Sequence, residues 1–157
     1  MARVCEGRVA IITGAGSGLG EAHAKALASE GASVVVNDVN EMAALAVVEQ
    51  ILADGGRAVV DTSDITNYQD SLGAVDQALK NFGDLHAVVN NAGINRDRMF
   101  ASMTEEEWDA VISVHLKGHF CISSHAVRYW RKRSKDGFEV NARIINTSSG
   151  AGLQGSI

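Results

Sequence analysis

Five short apolar runs, Val9–Ile12, Val34–Val36, Ala58–Val60, Ala87–Val89 and Arg143–Ile145, recur along this chain with helix-length segments between them. Each run is brief and most are rich in β-branched residues, the character of strands buried on both faces. The intervening segments carry their own stop signals. Gly18–Glu30 ends at Gly31, Glu41–Ala53 ends before Gly55-Gly56, and Thr66–Phe82 ends at Gly83. Thr66-x-x-Gln69 and Thr104-x-x-Glu107 read as capping boxes, the second opening a long helix over Thr104–Arg133. The resulting order, β-α-β-α-β-α-β-α-β, demands right-handed crossovers and hence an α/β fold with a parallel sheet. A doubly wound arrangement puts the five strands in the order 3-2-1-4-5. Ligands of such sheets bind beyond the carboxyl ends of the strands, near the switch between the first and fourth.

The chain has 157 residues, which fits one domain spanning 1–157 with a proper core. A net charge of -5 argues against a general nucleic-acid binder. One basic cluster stands out, Arg128, Arg131, Lys132, Arg133 and Lys135. It suits a helix C-terminus, where cations face the negative end of the dipole, and a phosphate- or partner-binding patch is the alternative. Cys5 and Cys121 lie far apart in no metal or redox spacing, as in a reducing cytosol. The apolar start of the first strand is too short for a signal peptide or a membrane span. These features point to a soluble, cytoplasmic protein with no membrane partner.

Chemistry enters where the first strand turns into the first helix, at Thr13-Gly14-Ala15-Gly16-Ser17-Gly18-Leu19-Gly20. Glycine permits positive φ and close backbone approach, and the helix start behind it offers free N–H groups to a pyrophosphate. Strand before and helix after are the context such a turn requires. Its spacing is TGxxxGxG, with Gly14, Gly18 and Gly20 in the key places. Asp38 ends the second strand, where a carboxylate accepts from both ribose hydroxyls and repels a 2′-phosphate. No Lys or Arg stands in the turn or just after Asp38, which favours NAD over NADP. A cap for the following helix is the other role open to Asp38. Asp64 and Ile65 follow the third strand and can receive the adenine amine and pack on its ring. A simple turn aspartate explains Asp64 equally well. Asn90-Asn91-Ala92-Gly93 closes the fourth strand with small residues beside the cofactor.

Together, TGAGSGLG, Asp38, Asp64, NNAG and Asn146-Thr147-Ser148-Ser149-x-x-Gly152 resemble the short-chain dehydrogenase/reductase family in order and spacing. The resemblance covers almost the whole chain. It implies a Rossmann-type doubly wound parallel sheet with helices on both faces. It further implies NAD(P)-dependent hydride transfer to or from an alcohol or ketone. The implied cofactor contacts are Gly14, Ser17, Gly18, Leu19, Gly20, Asp38, Asp64, Ile65, Asn91, Ala92 and Gly93. Ser149 falls on the family's catalytic serine, holding the substrate oxygen as charge develops on it. The relay position on the long helix falls on His115, where the family has asparagine; imidazole can still pass protons, and a partly buried helical histidine without that role is the alternative. His115 and His119 also have i, i+4 metal spacing, without a third ligand nearby, so no metal is expected.

The family's tyrosine and lysine stand about thirteen and seventeen residues beyond the serine, whereas this chain ends eight residues after Ser149. Tyr68 and Tyr129 are in the wrong places to substitute. The fold is therefore expected to be C-terminally incomplete and the 157-residue chain inactive alone. Val114–Gly118 and Asn37-Asp38 are most similar to the hydroxyacyl-CoA dehydrogenase branch. A non-catalytic dinucleotide-binding fragment and an NADPH-dependent 3-oxoacyl reductase are the competing readings. An apolar face with Trp108, Val111, Ile112, Leu116 and Phe120 on the long helix, through which family members pair, is expected to be exposed and to support a homo-oligomer.

Overall fold

The computed structural model describes residues 3–155, so the four terminal residues of the 1–157 unit lie outside it. Five parallel strands form one sheet: β1 Val9–Thr13, β2 Ser33–Asn37, β3 Arg57–Asp61, β4 Ala87–Asn90 and β5 Arg143–Asn146. Their order is β3-β2-β1-β4-β5, the order expected from the alternation of runs. The register sets Thr13 opposite Asn37 and Asn37 opposite Asp61, so three polar residues end a row of apolar ones.

Strand alternation divides the core between the two faces of the sheet. Ala10, Ile12, Val34 and Val36 face one way and pack with Ala24 and Ala28 of α1 (Gly18–Ser29) and Val47 and Ile51 of α2 (Glu41–Ala53). Val9, Ile11, Val35 and Val88 face the other way. They pack with Ala74 and Val75 of α3 (Leu72–Phe82) and with Ile122, Ala126 and Trp130 of α5 (His119–Lys135). Every residue of β1 and β2 is buried, which is why their sequences read as unbroken apolar runs.

Three local features depart from the sequence reading. The Thr66/Gln69 capping box does not form, and α3 starts at Leu72 rather than Thr66. Asp64 Oδ1 accepts from both the backbone N–H and the hydroxyl of Thr66, and Asn67 Oδ1 accepts from the N–H groups of Gln69 and Asp70. These short polar side chains give the backbone a local alternative to helix. The Thr104/Glu107 box does form, at the head of α4 (Glu105–Ile112). The long helix is not uniform, however. A π segment, Ser113–Gly118, separates α4 from α5, and a 3₁₀ turn, Phe100–Ser102, precedes both. After β5 comes a single turn, α6 (Ala151–Gln154), which leaves all four residues of β5 exposed.

The basic cluster sits at the C-terminus of α5 and is mostly paired there. Lys132 reaches Asp136 at 3.0 Å, Arg133 reaches Asp84 at 3.4 Å and stacks over Phe138, and Arg128 lies over Tyr68. Of the expected apolar face, Trp108, Ile112, Leu116 and Phe120 are exposed, whereas Val111 is half-buried. No helix among the described residues is long and apolar enough to cross a membrane.

At the lower end of the sheet, His86 Nδ1 accepts from the N–H of Val9, fixing the start of β1. Burial pushes the His86 pKa below the ordinary 6.5, although Asp84 nearby pulls it upward. His119 is lowered as well, again chiefly by burial. A histidine that resists protonation only when folded leaves the unfolded chain binding more protons below 6.5, so falling pH favours unfolding. We expect stability, measured by urea denaturation, to drop as pH is lowered from 7.5 through 6.5 toward 5. His86→Asn keeps an acceptor for Val9 and should flatten part of that slope. An unchanged slope would show that His86 does not carry it.

Candidate functional site

A cleft of about 590 Å³ opens at the carboxyl ends of the strands, over the switch between β1 and β4. Gly14, Ser17, Leu19, Asp38, Asp64, Ile65, Asn91, Ala92, Gly93 and His115 all line it, so one feature gathers most of the residues expected from sequence. No Lys or Arg among the described residues does.

Close packing dictates the glycine turn. Gly14 has φ +60°, and a Cβ there would lie 2.7 Å from Ala92 Cα. A Cβ on Gly20 would strike the carbonyl oxygen of Gly14 and the Asn91 amide, so Gly20 lets α1 start directly beneath the turn. Gly20 thus acts below the cleft rather than in its wall, and Gly18 contributes positive φ with open space around it. Ser17 makes no side-chain cap on α1. The first-turn N–H groups of that helix have no intrahelical partners and are available to an anion.

Asp38 is half-buried. Its Oδ2 accepts from Gly16 N at 2.9 Å and its Oδ1 from Asn40 N at 2.9 Å. Asn40, not Asp38, caps α2, accepting from Ala43 N. Asp38 therefore joins the glycine turn to the end of β2. Behind it, the buried Asn37 side chain donates to Asp61 Oδ2 at 2.6 Å and to the carbonyl oxygen of Ser63 at 2.9 Å. Burial pushes the Asp61 carboxyl up, against the lowering effect of its bonds from Asn37 and Ser63. Asp64 spends Oδ1 on the Thr66 turn while still lining the cleft. Ile65 is buried, and Gly118 of the π segment has room for no Cβ against it.

On the other wall, Thr13 Oγ1 accepts from the N–H groups of Asn91 and Ala92 at 3.0 and 3.1 Å. Asn91 Nδ2 returns to the carbonyl oxygens of Thr13 and Gly14. Asn90 donates to Ser123 Oγ and Asn146 Oδ1, tying β4 to α5 and β5. His115 Nε2 lies 3.0 Å from Ile94 N and 2.9 Å from Ile94 O, and its ring covers Gly93 so closely that no side chain would fit there. Its Nε2 is thereby held by backbone, and no group of three metal-ligating side chains occurs among the described residues. Ser149 lies on the exposed loop after β5, two residues past Thr147 of the cleft wall. Its Oγ accepts from Ala151 N, leaving the hydroxyl proton free to donate. Neither tyrosine enters the cleft: Tyr68 OH is 3.3 Å from Ser124 Oγ, and Tyr129 OH donates to Asp84, with its pKa pushed up to about 12 by burial and that carboxylate.

Glycines with no space for Cβ, a helix start with free N–H groups and a carboxylate locked beside them fit the pyrophosphate and adenosine ribose of a dinucleotide. The family model described as short chain dehydrogenase matches residues 8–157. The chain belongs to that family. Among curated family members, hydroxyacyl-CoA dehydrogenase ChsB1 of Mycobacterium tuberculosis is 49% identical over 96% of this chain and 50% of its own length. The peroxisomal hydratase-dehydrogenase-epimerase of Neurospora crassa is 41% identical over 96% of this chain and 17% of its own length. The crystal structure of a short chain dehydrogenase from Mycobacterium avium is 54% identical, with a TM-score of 0.95 over 98% of this chain and 58% of that one. The chain thus spans about half the length of the first of these relatives.

The sequence reading named Thr13 and Asn37 but assigned their side chains no role, whereas the structure shows them tying the cleft walls together. The signal for both was a polar residue closing an otherwise apolar strand. Thr13→Val keeps the shape but leaves the N–H groups of Asn91 and Ala92 without their acceptor. We expect it to lower stability by about 1–3 kcal/mol in chemical denaturation and to weaken dinucleotide binding. A variant as stable as the parent would remove Thr13 from this role.

Proposed function

We propose that this chain is the cofactor-binding part of an NAD-dependent short-chain oxidoreductase acting on an alcohol or ketone, with a hydroxyacyl-CoA thioester as the preferred substrate class. The observation that carries the cofactor is the Asp38 carboxylate, fixed by Gly16 N in a cleft wall that holds no Lys or Arg among the described residues. Bound NAD supplies the hydride acceptor, and NADH the donor. The chain's own residues bind and orient. The glycine turn and the start of α1 take the pyrophosphate, Asp38 the adenosine ribose, and Asp64 with Ile65 the adenine side. Asn91, Ala92 and Gly93 form a close-packed wall beside the dinucleotide. Ser149 donates its hydroxyl proton to the substrate oxygen, and His115 holds the wall at Ile94. The name of the Mycobacterium tuberculosis relative, a hydroxyacyl-CoA dehydrogenase, supports the substrate class, and the dehydrogenase in the name of the Neurospora crassa relative supports the reaction type. Free Cys5 and Cys121 suit a cytoplasmic setting. The exposed apolar face of α4 and α5 supports a contact between copies of the chain.

Fluorescence titration with NADH and NADPH tests the cofactor assignment. We expect NADH to bind at least about tenfold more tightly, a difference of roughly 1.4 kcal/mol, and Asp38→Ala to erase most of it. Tighter binding of NADPH to the unaltered chain would refute the assignment. With a secondary alcohol and NAD we expect binding without turnover, because no tyrosine reaches the cleft; measurable turnover by the 157 residues would show that another group moves the proton.

A further inference from the structure

Asn37 is almost wholly buried, yet it lines the cleft at the end of β2, next to Asp38. The orientation of its amide is forced. Nδ2 donates to Asp61 Oδ2 and to the Ser63 carbonyl oxygen, and a carbonyl can only accept. Turning the amide over would set two oxygens against each other. Oδ1 is therefore the group left over, and no donor among the described residues reaches it. Asp61 is itself held in place, accepting from Ser63 N and from Ser63 Oγ. Packing leaves this arrangement little freedom, since a Cβ on Gly73 would run into Ser63 Oγ. The result is a buried polar side chain with one unpartnered acceptor at the cleft and a rigid reason for presenting it.

We infer that Asn37 is a specificity-determining residue of the cleft, using Oδ1 to accept from a neutral hydrogen-bond donor on the nucleoside half of the ligand. Two donors have that chemistry, the purine amine and a ribose hydroxyl. Asp38 and Asp64 add only acceptors on either side, so this end of the cleft favours donors and disfavours a phosphate. Asp61 is a positioning residue, because it lies outside the cleft lining and acts on the ligand through the amide of Asn37, whereas Ser63 holds that amide and also lines the cleft. The inference rests on the nucleotide reading of the cleft given above.

The test is calorimetric binding of ADP-ribose, which needs neither the nicotinamide ring nor turnover, to the 157-residue chain. Asn37→Val suits the valine-rich strand and removes the acceptor. Asn37→Val in an Asp61→Asn background avoids leaving a buried carboxylate without its partner, and Asp61→Asn alone is its reference. We expect each Asn37→Val change to weaken ADP-ribose binding by about five- to tenfold against its own parent, the effect of one hydrogen bond. Repeating the titrations with the inosine analogue, which has a carbonyl in place of the purine amine, identifies the donor. If the analogue binds the parent weakly and Asn37→Val adds no further loss, the donor is the amine. An equal loss for both nucleotides assigns it to a ribose hydroxyl. Unchanged ADP-ribose affinity in the folded variants would overturn the role of Asn37 while leaving the nucleotide site intact. No binding of ADP-ribose by the parent chain would overturn both.

Discussion

Where β1 and β4 part company at their carboxyl ends, the Thr13 hydroxyl accepts two backbone N–H groups from the residues just past β4, and Asn91 returns its amide to Thr13 and the glycine turn. Sheet hydrogen bonding ends here, and helices leave on opposite faces, which is what opens a crevice at a switch point. Without a crosslink of this kind the two strand ends would be free to splay. With it, the backbone of the glycine turn and that of Ala92 are brought so close that only glycine fits at position 14. The site is thus set by the same contacts that terminate the sheet. Changes to its walls carry a cost in stability as well as in binding.

Much of this architecture was legible in the amino-acid order because its strands are buried on both sides. Val34, Val35 and Val36 belong alternately to two separate cores, so no polar residue interrupts them, and the run announces a central strand. Thr104 and Glu107 behaved as their spacing promised because nothing nearby competed for the backbone. Thr66 and Gln69 have the same spacing and failed, since Asp64 and Asn67 captured the N–H groups first. The π segment left no trace in the pattern of residues, as one extra residue per turn is invisible to a periodicity read over a few turns. Its consequence is nevertheless specific: it carries both His115, against Gly93 and Ile94, and Gly118, against Ile65. The residue type at 115 was readable from sequence, but not that one ring nitrogen would sit within reach of both the N–H and the carbonyl oxygen of Ile94, bonding one or the other according to its tautomer. The side-chain roles of Thr13 and Asn37 were not readable because a polar residue at a strand end is ordinary, and only the partners reveal what it does.

Electrostatics at the adenosine end depends less on the presence of a carboxylate than on its inability to move. A phosphate placed about 4 Å from a carboxylate costs about 1 kcal/mol per pair of unit charges in bulk water and about 4 kcal/mol near a protein surface. The first figure is a factor of roughly five in affinity, the second roughly a thousand. A freely rotating aspartate relaxes toward the smaller value by swinging into solvent. Asp38 has little such freedom, because one oxygen is engaged by Gly16 N, the other by Asn40 N, and a Cβ on Gly16 would already touch the carboxylate. The charge is consequently fixed where it is half-buried, with no Lys or Arg among the described residues in the cleft wall to offset it. The glycine turn therefore does more than permit a tight strand-to-helix passage: through Gly16 it immobilises the Asp38 charge on which the proposed preference for a ribose without a second phosphate depends.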